Sequence, residues 1–81
     1  MRDDRERVLD ILEAIGRIER VSARGRDYFY DDEMAQVWVI YHLQIIGEAV
    51  RGLSSEFVAA NPEVPWSDII GMRNILVHHY F

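Results

Sequence analysis

The 81-residue sequence contains no cysteine and carries a formal net charge of −5, from 14 acidic and 9 basic residues. The missing cysteine excludes disulfides and thiolate metal sites, and no apolar run approaches the roughly 20 residues that a membrane-spanning helix needs. We therefore expect one cytoplasmic domain over residues 1–81. A hydrophobic content of 49% is high for so short a chain, and it favours a homodimer because one small chain covers its core poorly.

The charged residues are distributed unevenly along the chain. Residues 1–30 hold seven arginines against seven acids, whereas residues 31–81 hold two arginines against seven acids and carry the whole net charge. A general nucleic-acid-binding protein usually shows a basic surplus. A polyanion bound by this protein would therefore need a local site.

The first predicted element is an amphipathic helix. Its apolar residues recur at intervals of three and four from Val8 to Val21, Asp3 or Asp4 can cap its start, and Gly25 can end it.

Three arginines fall on one stripe of this helix, at positions 17, 20 and 24. The favoured interpretation is a solvated face paired with Glu13 and Glu19. The other interpretation is a rail that binds phosphates.

The second predicted helix follows Asp31 and Asp32, which can supply its N-cap. From Met34 to Val50 it is apolar on nearly every side, and a helix of that kind is buried all round. We expect it to form the centre of a dimer interface led by Trp38, Ile45 and Ile46. Gly47 within it suggests a close approach by another helix.

Two further helices complete the predicted fold. Ser54 can cap a short helix that stops before Asn61 and Pro62, and a last helix starts between Trp66 and Asp68. No segment shows the two-residue alternation of a strand. The sequence therefore predicts an all-α protein, a small antiparallel helical bundle.

The last helix carries the residues that suggest chemistry. Arg73 lies in the middle of its apolar stripe, where an unpaired guanidinium would be costly to bury. It must reach a carboxylate such as Glu48, a phosphate or an interface. Asn74 and His78 are four residues apart and thus neighbours, so the amide could orient the imidazole. Gly71 beside them would leave room for a ligand.

Arginine and histidine together suit the cleavage of RNA. Histidine can take the proton of a ribose 2′-hydroxyl near neutral pH, and arginine can neutralise the phosphate in the transition state. Neither step needs a metal, and His42, His78 and His79 do not form a convincing ligand set. On a regular helix, however, Arg73 and His78 point about 140° apart. They can share a site only if Arg73 curls round, the helix unwinds, or two chains combine their residues.

The run "MRNILVHHYF" resembles the Arg-x4-His-x-Tyr motif of HepT-like proteins in the HEPN superfamily. "HLQIIGEAV", "RVLDILEAIGRIER" and "NPEVPWSDIIGMRN" are similar to other characteristic stretches of that family, in the same order. The resemblance implies a helical homodimer that acts as a metal-independent endoribonuclease toxin, with RNA and not DNA as its substrate and no cofactor.

The resemblance also implies roles for individual residues. Arg73 and His78 would carry catalysis, supported by Asn74. Tyr80 would receive AMP from a MntA-like nucleotidyltransferase antitoxin, as in a type VII toxin–antitoxin system. The alternative is a non-catalytic HEPN dimer that serves as an adaptor or substrate-binding partner of a nucleotidyltransferase.

Two departures from the family pattern bear on these expectations. His79 stands where glycine is common, and family members normally continue past the tyrosine into a further helix. We therefore expect either a form shortened at its C-terminus or a further segment beyond Phe81.

Overall fold

The computed structural model describes residues 3–80, except the side chains of His79 and Tyr80. Five helices follow one another in this range, and it contains no strand, which confirms the all-α prediction. They are α1 (Asp4–Ser22), α2 (Arg26–Asp31), α3 (Glu33–Arg51), α4 (Ser55–Ala60) and α5 (Trp66–Tyr80). None of these helices is both long and apolar enough to cross a membrane.

The predicted caps account for the starts of α1, α3 and α4, whereas α1 ends at Ser22 and Gly25 precedes α2 instead. The carboxylates of Asp3 and Asp32 accept hydrogen bonds from the N–H groups of Glu6 and Ala35, and thus cap α1 and α3. These bonds satisfy N–H groups that have no partner within the helix.

The short helix α2 was not predicted, because the sequence suggested only a break between two long helices. Gly25 has a positive φ of 94° and precedes α2, a conformation that glycine adopts without steric cost. The amide of Gln36 donates to the carbonyls of Phe29 and Tyr30 at 3.1 and 3.0 Å. A side chain seven residues away therefore satisfies the end of α2, and local propensity does not reveal such a contact.

Helix α3 lies at the centre of the fold, with α1 and α5 packed against it. Its side towards α1 is closed by small buried residues, among them Ala35 and Ala49. Another stripe of α3 is open in the single chain, where Val37 and Tyr41 are 52% and 51% exposed. One chain therefore leaves an apolar strip of its central helix uncovered.

Trp38, Ile45 and Ile46 are not the most open residues of α3. Trp38 donates its indole N–H to the Arg17 carbonyl at 2.9 Å, and the two isoleucines are only partly exposed. The prediction of a dimer remains a prediction, and we move its expected contact to the stripe that carries Val37 and Tyr41.

Arginines of α1 and α5 lie over two glycines, Gly47 within α3 and Gly52 just after its end. The guanidinium of Arg7 in α1 occupies the space where Gly52 would carry a Cβ, and the side chain of Arg73 in α5 occupies the same space at Gly47. The close helix approach predicted at Gly47 is thus confirmed. Glycine is required there because any larger residue would overlap the side chain opposite.

Asp4 connects the start of α1 to the start of α4. Its carboxylate accepts the Ser54 N–H at 2.8 Å and the Ser54 hydroxyl at 2.6 Å. The same hydroxyl oxygen accepts the Phe57 N–H at 3.1 Å as the N-cap of α4. The hydrogen bonds from the Ser54 side chain and backbone, helped by the positive charge of Arg7, lower the pKa of Asp4 below its ordinary value of 3.8.

This lowered pKa predicts a specific pH dependence of stability. The folded protein binds fewer protons at Asp4 than the unfolded chain does, so the stabilisation is present above pH 3.8 and is lost as the pH falls through the lowered pKa. Wild type should exceed Asp4→Asn in free energy of unfolding near neutral pH, and the difference should shrink in acid. Urea unfolding across this range measures it. Glu63→Gln, an equal change of charge in the loop before α5, is the control, and a difference independent of pH would contradict the prediction.

Candidate active site

The start of α5 is fixed by the loop that precedes it. The Trp66 indole N–H donates to the Asn61 carbonyl at 2.9 Å, and the Asn61 amide donates to the Phe57 carbonyl at 2.9 Å. The rings of Phe57 and Trp66 meet edge to face, with centroids 6.1 Å apart. These contacts attach α5 to α4 and so determine where Arg73 meets α3.

Arg73 is held between α5 and α3. Its Nη2 lies 2.6 Å from Glu48 Oε2, and its Nη1 donates to Asn74 Oδ1 at 3.2 Å. The side chain is only 18% exposed, whereas that of Glu48 is 57% exposed. The carboxylate partner considered from the sequence is therefore present within the chain.

One donor of Arg73 has no hydrogen-bond partner among the residues that the structure describes. Its Nε is buried and makes no hydrogen bond within the described residues. The close contact with Gly47 explains this, because the aliphatic part of the side chain lies against the α3 backbone and water cannot reach the nitrogen. An unsatisfied buried donor has an energetic cost. The buried Nε of Arg73 therefore lowers the folding stability of the protein, while the other contacts hold the guanidinium in place.

Asn74 and His78 lie on the outer side of α5, and both side chains are exposed. The Asn74 carbonyl oxygen serves Arg73, whereas the sequence suggested that the amide orients His78. The supporting role of Asn74 in catalysis stays a prediction. Gly71 lies nearby, and a Cβ built there would meet nothing within 4 Å, so the space expected for a ligand is open.

The backbone of α5 bears on how Arg73 and His78 can meet. The helix runs without interruption from Trp66 to Tyr80, which removes the possibility that it unwinds before His78. Arg73 points towards Glu48 on α3, so it does not curl round α5 either. A site that uses both residues then needs the third arrangement, in which two chains combine.

Two predicted residues, His79 and Tyr80, have side chains that lie outside the described residues. The prediction that Tyr80 accepts AMP therefore falls outside the described residues. His42, by contrast, is fully buried, and its Nδ1 lies 2.7 Å from the Trp38 carbonyl. Among the side chains of residues 3–78, no three histidines or carboxylates gather in a way that could hold a metal ion.

Of the three arginines predicted on one stripe of the first helix, Arg24 lies in the turn after α1, and sequence reasoning missed the aromatic rings near them. The Arg24 guanidinium lies 4.1 Å from the centre of the Tyr28 ring, and Trp38 reaches α1 from α3. Arg17 forms an ion pair with Glu13, as the favoured interpretation of the stripe expected. Both aromatics come from other helices, so only their interleaving with arginines in sequence could have suggested the arrangement.

Comparison with known proteins gives consistent matches. A protein of Methanocaldococcus jannaschii named "Putative RNase MJ1380" is 39% identical over 99% of this chain and 74% of its own length. "Probable ribonuclease HepT" of Thermococcus cleftensis is 37% identical over the same shares of the two chains. "Putative RNase TTE0752" of Caldanaerobacter subterraneus is 42% identical over 79% of this chain and 57% of its own length.

No solved structure matches the chain significantly. The model of the Ribonuclease HepT-like family matches residues 11–81, which include α2 to α5, most of α1 and the whole Arg-x4-His-x-Tyr run. The chain therefore belongs to the Ribonuclease HepT-like family.

Proposed function

We propose that this protein is a metal-independent endoribonuclease of the toxin type, in which Arg73 binds the scissile phosphate and His78 transfers the proton. The observation that carries the proposal is the fixed guanidinium of Arg73, held by Glu48 and Asn74 at the edge of α5. Membership of the Ribonuclease HepT-like family supports it, as do relatives named as ribonucleases.

The chemistry follows from the two side chains. His78 removes the proton from a ribose 2′-hydroxyl, and the resulting oxygen attacks the adjacent phosphorus. The bond from phosphorus to the 5′-oxygen breaks, that oxygen takes up a proton from water, and a 2′,3′-cyclic phosphate remains. Arg73 stabilises the extra negative charge on the phosphate in the transition state. Glu48, which is more than half exposed, gives way to the phosphate as the partner of the guanidinium.

We further propose that the active site is formed by two chains. Arg73 of one chain and His78 of the other would meet in a cleft near a two-fold axis, because within one regular helix they diverge by about 140°. The uncovered stripe of α3 with Val37 and Tyr41 supports this arrangement, since a two-fold dimer uses the same surface of both copies. Sedimentation showing a stable monomer at micromolar concentration would contradict it.

The proposed reaction is tested by cleavage of a single-stranded RNA in the presence of a chelator. We expect cutting that persists in excess EDTA and leaves 2′,3′-cyclic phosphate ends. The matched control is the same RNA with 2′-O-methyl groups, which should stay intact because the attacking hydroxyl is blocked. Cleavage that stops in EDTA and returns with added metal would refute the proposed mechanism.

Silencing by a MntA-like nucleotidyltransferase is the second part of the proposal. The Tyr80 hydroxyl would attack the α-phosphorus of ATP and release pyrophosphate, which leaves AMP on the tyrosine. Tyr80 follows Arg73 by seven residues, about 20° round a regular helix, so the added phosphate would compete with RNA for Arg73.

AMP transfer is measured by incubating the protein with the enzyme and ATP, followed by mass spectrometry. We expect wild type to gain one adenylate and lose ribonuclease activity, whereas Tyr80→Phe gains none and stays active. Equal modification of both proteins, or suppressed cleavage without modification, would rule out Tyr80 as the switch.

The alternative function is that of a non-catalytic adaptor for a nucleotidyltransferase. The pairing of Arg73 with Glu48 favours it, because this ion pair explains the buried arginine without any substrate. The two functions differ in one result. An adaptor binds the nucleotidyltransferase but leaves RNA intact at every protein concentration.

A further inference from the structure

A groove between the end of α1 and the start of α3 combines positive charge with aromatic rings. It has a volume of about 300 Å³, and its lining includes Arg20, Arg24, Tyr28, Met34 and Trp38. We call it the basic–aromatic groove. It contains neither Arg73 nor His78 and therefore differs from the candidate active site.

The positive charge of the groove is available to a ligand. Arg20 and Arg24 are exposed, and no carboxylate forms an ion pair with either among the side chains of residues 3–78. Arg20 lies in the last turn of α1, and Arg24 follows in the turn between α1 and α2. The neighbouring Arg17 differs, because Glu13 neutralises it.

The aromatic rings are held in fixed positions. The Trp38 indole N–H is tied to the Arg17 carbonyl at 2.9 Å, and one side of the indole packs on His42, with centroids 4.4 Å apart. The indole is nevertheless 40% exposed. Arg24 covers Tyr28 from 4.1 Å. A flat ligand can therefore meet an aromatic surface without having to order it first.

We propose that the basic–aromatic groove binds a single-stranded segment of RNA, with a base on Trp38 and phosphates on Arg20 and Arg24. Single-stranded nucleic acids are bound by this combination of a positive groove and stacking rings. The inference deepens the proposed function, on which it rests, because it assigns the groove to the substrate of that site. The acidic remainder of the chain repels RNA, so a local groove is required.

The first test uses the two tryptophans of the full chain. Trp66→Phe leaves Trp38 as the only indole, and Trp38→Phe leaves Trp66, which packs on Phe57 away from the groove. The probe is a 2′-O-methyl oligouridylate of about ten nucleotides, within the site sizes of single-strand binding, which the enzyme cannot cut. We expect the oligomer to quench Trp38 fluorescence and leave Trp66 unchanged. Equal quenching in both variants, or none in either, would overturn the proposal.

The second test measures affinity against salt concentration. Exchange of Arg20 and Arg24 for glutamine should weaken binding about tenfold and reduce the slope of log K against log salt by about 1.4, at 0.7 per phosphate contact. The matched control exchanges the exposed Arg5 and Arg51, outside the groove lining, and should change neither quantity. Equal losses in both double variants would overturn the proposal.

Two comparisons make the outcomes specific. Polyglutamate that quenches Trp38 as RNA does would show a groove for acidic proteins and overturn the assignment to RNA. If the oligomer quenches Trp38 fluorescence but wild type does not cut RNA, the groove is upheld and the proposed nuclease is refuted. Cleavage without a Trp38 response would uphold the nuclease and refute the groove.

Discussion

Exchange of His78 for alanine should lower kcat for RNA cleavage by about 10²- to 10⁴-fold, the usual contribution of a general acid or base. The side chain is exposed near the end of α5, so its removal should leave the fold intact. Thermal unfolding of the variant should match wild type, and KM should change little because the imidazole acts mainly in the transition state. A kcat within twofold of wild type would contradict the proposed role.

Arg73→Ala should cause a loss of about 10²- to 10³-fold, because it removes the charge that stabilises the phosphate. Arg73→Lys should recover only part of this, since lysine keeps the charge but loses the planar, two-pronged contact. Arg51→Ala, at an exposed position of α3, is the matched control and should retain full activity. Equal activity of Arg73→Ala and Arg51→Ala would exclude Arg73 from catalysis.

Mixing the two inactive variants tests whether two chains share the site. A heterodimer of Arg73→Ala and His78→Ala keeps one intact pair if arginine and histidine come from different chains, and none if they come from the same chain. Random exchange of subunits should then restore about a quarter of wild-type activity, because half of the two-fold dimers are mixed and each has one of two sites intact. No recovery after verified exchange would contradict the shared site.

Gly47→Ala should destabilise the protein although alanine is the better helix former. A Cβ at this position would lie 2.6 Å from Arg73 Cγ and 3.5 Å from Arg73 Cα. The first distance is far inside normal carbon separation, and α5 must shift to relieve it. Overpacking costs about 1–3 kcal/mol, which exceeds the gain of roughly 1 kcal/mol in helix propensity. We expect a Tm several degrees lower, and a loss of activity because the displaced helix carries Arg73.

Gly16→Ala is the matched control for this substitution. Gly16 lies inside α1, and a Cβ built there meets nothing within 4 Å. The same exchange should therefore stabilise the protein by about 0.5–1 kcal/mol, opposite in sign to Gly47→Ala. Thermal unfolding of the two variants side by side measures this. A Tm that rises in both would show that α3 and α5 are less tightly packed than these contacts indicate.

Much of the fold could be predicted from the sequence because its signals are local. Asp32 and Ser54 cap helices through side chains that reach only three residues along the chain. The start of α5 at Trp66 follows from the proline-containing loop before it. Helix α2 could not be predicted, because Gln36 supplies its closing hydrogen bonds from the next helix.

The residues of the candidate site could be named from sequence, but their partners could not be chosen. Spacing alone placed Arg73, Asn74 and His78 on α5 and left a carboxylate, a phosphate and an interface open for Arg73. The packing of α5 over Gly47 decided that Glu48 is the partner within one chain. It likewise paired Asn74 with Arg73 and not with His78.

The sequence by itself thus determined the helical class, most helix boundaries, the family and the chemical nature of the last helix. The class, the boundaries and the chemistry of the last helix depend on residues a few positions apart, whose relation is set by the 3.6-residue turn, and the family depends on the order of four stretches along the chain. Only the tertiary structure decided which stripe of α3 stays open, which side chain meets Arg73, and that Trp38 joins the arginines of α1. These outcomes depend on contacts between helices that are distant in sequence. At the contact between α3 and α5, the absence of a side chain at Gly47 sets how closely the two helices approach.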